Sequence, residues 1–169
     1  SSFRAASSMS WYKRRNFMTM AGAALAGCTF TPAYAPGGPA AALQGAVRVD
    51  SPDTKDGFDL VERLEERLGR PSNPRFNLSY QIRTDRVGVG VTPENAITRY
   101  HLRGRIDWQL SDMDGNRLTE GVAQSFTAWS ATGTTVAGLS AEEDAAYRLM
   151  RILADQIVTR LVASVGSLR

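Results

Sequence analysis

Arg99-Tyr100-His101-Leu102-Arg103-Gly104-Arg105-Ile106-Asp107-Trp108-Gln109-Leu110 alternates in character from end to end. Tyr100, Leu102, Ile106, Trp108 and Leu110 share one parity, and Arg99, His101, Arg103, Arg105, Asp107 and Gln109 share the other. Successive side chains of an extended strand point to opposite faces, so the stretch predicts a β-strand with one apolar and one polar side. A strand left polar on one face belongs in an antiparallel sheet, because parallel sheets are covered on both. Upstream, Phe76, Leu78, Tyr80 and Ile82 alternate with Asn77, Ser79, Gln81 and Arg83, giving a second strand of the same kind. Downstream, Asp114-Gly115, flanked by Asp112 and Asn116, tolerates the positive φ angles of a tight turn and predicts a hairpin. The return strand covers about residues 117–128, with Leu118, Val122 and Phe126 as its apolar marks. So sparse a pattern fits a bulged strand or one near a sheet edge.

Around these strands the period changes. Residues 44–50 hold Ala46, Val47 and Val49 and end at Ser51-Pro52, a short strand. From Asp56, apolar Phe58, Val61, Leu64 and Leu68 recur at threes and fours among Asp59, Glu62, Arg63, Glu65, Glu66 and Arg67, until Gly69 and Pro71 stop the run. That is an amphipathic helix. Residues 129–139, rich in Gly, Thr and Ala, read as a loop. Ser140 and Glu143 then have the spacing of a capping box, opening a helix with Ala145, Leu149, Ile152, Leu153, Ile157 and Leu161 on one stripe and ending near Val165, before Gly166. The order strand, helix, three strands, helix predicts an α+β fold. It is a two-layer sandwich, with two helices packed on one face of a mainly antiparallel four-stranded sheet.

The amino-terminal third has a different character. Cys28, the one cysteine of 169 residues, closes the run Leu25, Ala26, Gly27, Cys28 behind a short apolar stretch introduced by Lys13, Arg14 and Arg15. A positive region, a short apolar region and small residues before a cysteine form the layout of a bacterial lipoprotein signal. Residues 1–27 are therefore expected to be a lipoprotein signal peptide and Cys28 the lipid-attachment site. The Arg14-Arg15 pair is also compatible with twin-arginine export. Residues 28–43, with Pro32, Pro36, Gly37, Gly38 and Pro39, are expected to be a lipidated tether, and residues 44–169 a single domain. Removing residues 1–27 takes away four of the 20 basic groups and no acidic one, so the formal +3 of the full chain becomes about −1. The global charge argument for a nucleic-acid partner disappears with it. No other apolar run approaches the roughly 20 residues of a membrane span.

Catalytic chemistry is poorly supplied. The single histidine, His101, lies between arginines on a strand, with no acidic residue at short spacing to orient it as a base. One histidine and one lipid-committed cysteine cannot make a zinc set, and Asp112, Asp114 and Glu120 lack calcium-loop spacing. Val87-Gly88-Val89-Gly90 follows no strand-to-helix crossover and is no phosphate loop. No catalytic residue, metal or cofactor is expected. The candidate ligand-binding set is Arg99, His101, Arg103 and Arg105, projecting from one strand face, with Arg83 joining from the preceding strand. Arginines in such a row can hold phosphate bidentately. They read equally well as a solvated outer face balanced by acids.

Several short strings, in their order and distance, carry a family resemblance. Leu25 to Cys28 followed by Phe30, Pro32 and Tyr34, then Ala96-Ile97-Thr98-Arg99-Tyr100, and finally Ala154-Asp155-Gln156-Ile157, resemble the LptE family of lipopolysaccharide-assembly lipoproteins in its alphaproteobacterial form. Thr29 and Ala33 depart from the glycine and leucine usual there. The resemblance implies a non-enzymatic lipoprotein on the periplasmic side of the outer membrane, held there by acylated Cys28. It would plug the lumen of the LptD β-barrel, help assemble it, and assist delivery of lipopolysaccharide, whose lipid A phosphates would suit the arginine row. It also implies two helices on one face of a four-stranded sheet. Two other classes remain open: an auxiliary lipoprotein of a phospholipid or ABC-type envelope transport system, and a cell-envelope hydrolase.

Overall fold

A computed structural model describes residues 38–91, 97–131 and 134–167. Cys28, the expected signal and most of the expected tether lie outside the described residues. The elements are α1 (Pro39–Leu43), β1 (Val47–Val49), α2 (Lys55–Leu68), β2 (Phe76–Val91), β3 (Ile97–Asp112), β4 (Arg117–Ser130) and α3 (Thr135–Ser167). The sheet order is β1-β2-β3-β4. β1 runs parallel to β2, and the other neighbours are antiparallel. Helices pack against one face, so the α+β sandwich expected from the sequence is what forms.

Local chemistry sets most boundaries. At the start of α2 the Thr54 hydroxyl accepts from the Gly57 N–H at 3.1 Å, and the helix stops at Gly69, whose φ of 75° suits glycine. Gly45 also adopts a positive φ, and its N–H donates to the Leu68 carbonyl at 2.7 Å, tying the end of α2 to the start of β1. In the β3–β4 turn a single Asp112 oxygen accepts from the N–H groups of Asp114 and Asn116, at 3.0 and 2.8 Å.

The core lies between the inner sheet face and the two long helices. Leu60, Leu64 and Leu68 of α2, Leu149, Leu153, Ile157 and Leu161 of α3, and Leu78, Ile106, Trp108 and Leu110 of the sheet form one buried cluster. Arg63 of α2 grips Asp155 of α3 with two bonds, Nε at 3.1 Å and Nη2 at 2.9 Å, and also binds Glu66. These bonds hold the Arg63 guanidinium pKa above its ordinary value, the bond to Asp155 contributing most.

Five details differ from the sequence reading. Phe58 is 61% exposed, and the buried stripe of α2 is Leu60, Leu64 and Leu68, one turn apart each time. Ile152 likewise faces solvent, while Met150, Ala154 and Val158 take inward places on α3. α3 begins five residues before Ser140, because the Thr134 hydroxyl, accepting from the Ala137 N–H at 3.3 Å, provides an earlier cap. β4 continues to Ser130 and buries Trp129, stacked on Tyr100 with ring centroids 5.2 Å apart, inside the stretch expected to be loop. Residues 39–43 form a short helix within the segment expected to be tether. Pro39 at its first position lacks only an N–H that would go unused there, and Leu43 reaches the core.

Candidate functional site

The sheet face turned away from the helices carries every strand residue of the candidate set. Register places them in rows. Asp85, Arg103 and Phe126 are cross-strand neighbours, as are Arg83, Arg105 and Gln124 in the next row. On the other side of the first row lie Val87, His101 and Ala128. The two central rows line a shallow depression of ≈ 480 Å³. Gly104 and Gly121 help to explain its form. On the inner side a Cβ at Gly104 would come within 2.8–2.9 Å of Leu153 and Leu149, so α3 lies tight under the depression. Gly121 gives the Trp108 ring its place in the same way.

Charge divides the arginines into two kinds. Asp107 takes Arg105 through Nη2 at 2.6 Å and Nε at 3.2 Å, with Arg83 at 3.8 Å. The Arg105 hydrogen bonds hold the Asp107 carboxyl below its usual range, and Asp107 in turn raises Arg105. Arg83 also donates to the Gln81 side chain at 2.9 Å. Arg105 and Arg83 are thus partly neutralised. Among the described residues Arg99 and Arg103 form no ion pair, and Asp85, opposite Arg103 in register, does not come within ion-pair distance of it. Their charge is directed to solvent.

His101 lies against the ring of Phe126, centroids 5.0 Å apart and planes 28° from parallel. Phe126 is 59% exposed. An uncompensated guanidinium, an imidazole and an exposed aromatic ring therefore stand together, with two engaged arginines alongside. The arrangement can hold an anion next to an apolar group. Among the described residues no carboxylate contacts His101 to orient it as a base, and no cluster of three metal-ligating side chains occurs.

The sequence reading brought Arg83, Arg99, His101, Arg103 and Arg105 to one face, where the structure places them. It took Phe126 as an ordinary mark of β4 and left out Asp85 and Gln124. The pairing register supplies the missing signal: it sets Gln124 opposite Arg105 and Phe126 opposite Arg103, one position beyond where a straight count back from the Asp114-Gly115 turn would put them, because the ladder slips between Leu110 and Ser111.

The chain resembles a candidate lipoprotein from Caulobacter crescentus CB15 at 22% identity and TM-score 0.65, covering 78% of this chain and 97% of that one. It is also similar to a minor lipoprotein from Acinetobacter baumannii, at 19% identity and TM-score 0.56, covering 70% and 89% of the two chains. The rare lipoprotein B from Shewanella oneidensis matches at 12% identity and TM-score 0.56, covering 73% and 96%. At these identities the likeness is one of fold. No curated protein matches the chain. The family model LptE, lipopolysaccharide-assembly, matches residues 45–161, which span α2, the whole sheet and most of α3. The chain therefore belongs to the LptE lipopolysaccharide-assembly family.

Proposed function

We propose that this protein is an outer-membrane lipoprotein, anchored through acylated Cys28, that plugs the lumen of the LptD β-barrel and presents its open sheet face to lipopolysaccharide on the way to the cell surface. Its part is assembly and delivery rather than catalysis. The supporting observation is the depression between β2, β3 and β4, where Arg103 carries an unpaired charge beside the exposed Phe126 ring. Lipopolysaccharide offers the complementary pair: phosphates for the guanidinium and acyl chains for the ring and its histidine neighbour. A barrel lumen is polar. The uncovered face, bearing Arg, Gln, Ser and Asn, can lie in such surroundings without stranding much apolar surface.

The test is purification of the full chain with its anchor intact, followed by lipopolysaccharide binding. A large β-barrel is expected to co-purify. Arg99→Glu with Arg103→Glu is expected to weaken lipopolysaccharide binding about tenfold while leaving the unfolding midpoint in place. If ABC-transporter components co-purify instead of a barrel, the chain serves another envelope system. Unchanged lipopolysaccharide affinity in the double variant would remove the arginines from the site.

A further inference from the structure

The two edges of the sheet are finished differently. On β4 the Gln156 side chain, reaching over from α3, pairs with the backbone of Gln124 in both directions. Its oxygen accepts from the Gln124 N–H at 3.3 Å, and its nitrogen donates to the Gln124 carbonyl at 3.1 Å. One amide thus stands where a neighbouring strand would. Further along, Thr119 of β4 meets Ser164 of α3 at 3.5 Å. β2 has no such cover over most of its length. β1 pairs only with Phe76, Asn77 and Leu78, and the Asp50 N–H bonds the Leu78 carbonyl at 3.0 Å. Among the described residues no backbone bond closes the outer edge of β2 beyond that point. Arg83, Thr84, Asp85 and Arg86 are exposed in succession, with Arg86 reaching Glu142 of α3 at 3.0 Å and Arg83 reaching Gln81 at 2.9 Å, so side chains engage neighbours within the chain while the backbone edge between them stays open.

The direction of the free groups follows from the same bond. The Leu78 carbonyl points outward, and backbone groups alternate along a strand, so Tyr80, Ile82, Thr84 and Arg86 also direct N–H and C=O outward. Charge then selects a register. In an antiparallel pairing of β2 with a second β2 centred on Thr84, Ile82 meets Arg86, Thr84 meets Thr84, and all the facing groups are outward ones. Arg83 of each copy then stands opposite Asp85 of the other, on the open face, twice by symmetry. Centring on Arg83, Asp85 or Arg86 would instead set like charges against each other.

We propose that the free edge of β2 pairs with a second copy of this chain about a two-fold axis at Thr84, joining two sheets into one. The register shifts at Gly88 and Gly90 bend the end of β2, so the shared ladder stops short of the partner's β1. This pairing does not depend on lipopolysaccharide or on a barrel.

Sedimentation of the full chain in mild detergent, at concentrations up to about 100 µM, tests it. A reversible dimer is expected. Thr84→Pro removes an outward N–H that β3 does not use, and it should raise the dissociation constant more than tenfold with the circular dichroism unchanged. Arg83→Asp and Asp85→Arg should each weaken the dimer, and the two together should restore it by exchanging the sign of both cross-strand pairs. In a hydrogen-bonded antiparallel pair the two Thr84 Cα atoms would be about 5.5 Å apart, within disulfide range. Thr84→Cys should therefore form a covalent dimer on mild oxidation, and Met113→Cys, at the β3–β4 turn, should not. A monomer at all concentrations, a Thr84→Pro chain that dimerises like the parent, a double exchange that fails to restore association, or equal cross-linking at both cysteines would each overturn the proposal.

Discussion

Phe126 points away from the core, and the inward positions of β4 on either side of it are held by small groups. Gly121, Ala123 and Thr127 occupy them, and the Thr127 hydroxyl donates to the Ala145 carbonyl of α3 at 2.8 Å. The same closeness governs Gly104 on β3. Gly104→Val should drive a branched side chain into Leu149 and Leu153, which are fully buried and cannot move aside cheaply. A loss of about 1–3 kcal/mol is expected, read as a lower urea midpoint at constant slope. Gly115, with nothing within 4 Å of a Cβ, keeps its glycine for the backbone alone, at φ 87°. Burial and partner, rather than residue type, thus decide what each small position does.

At the scale of elements, α2 depends on its first turn. Thr54→Ala leaves the Gly57 N–H without its acceptor, and a destabilisation of about 1 kcal/mol is expected in chemical unfolding, with Thr54→Ser close to the parent. The long alternating stretch of β3, the Asp114-Gly115 turn and the α2 run were all legible, because each has one period or one turn signal with nothing competing. The start of α3 was not. Val136 and Leu139 are 73% and 59% exposed, so the first turn buries no stripe that periodicity could reveal. β4 itself was legible over residues 117–128, but its inward face was not: the core-facing Gly121, Ala123 and Thr127 are small, the marks Leu118 and Phe126 face out, and the buried Trp129 lies just past the expected end. The arginine row was legible from parity on one strand, whereas Asp85, Gln124 and Phe126 join it only through pairing between strands.

For the molecule as a whole, the carboxylates held by arginines and by the turn make folding sensitive to acid. Glu66 is lowered chiefly by its hydrogen bond from Arg63, Asp107 by Arg105, and Asp112 by the Asn116 side chain. Each binds its proton less readily folded than unfolded, so its contribution is complete above the ordinary carboxylate range. It fades as pH falls below about 4. Asp56 works the other way, since burial raises its pKa. With Glu66, Asp107 and Asp112 lowered, thermal scans are expected to show an unfolding temperature that is level between pH 7 and about pH 5 and drops below about pH 4. The unequal finish of the sheet has a last consequence. Continued stacking of sheets into a fibre requires each molecule to offer two binding sides, one for the unit before and one for the unit after. With Gln156 already seated on Gln124, a unit arriving along β4 meets that position taken, so pairing of the kind proposed for β2 is expected not to repeat at the other edge.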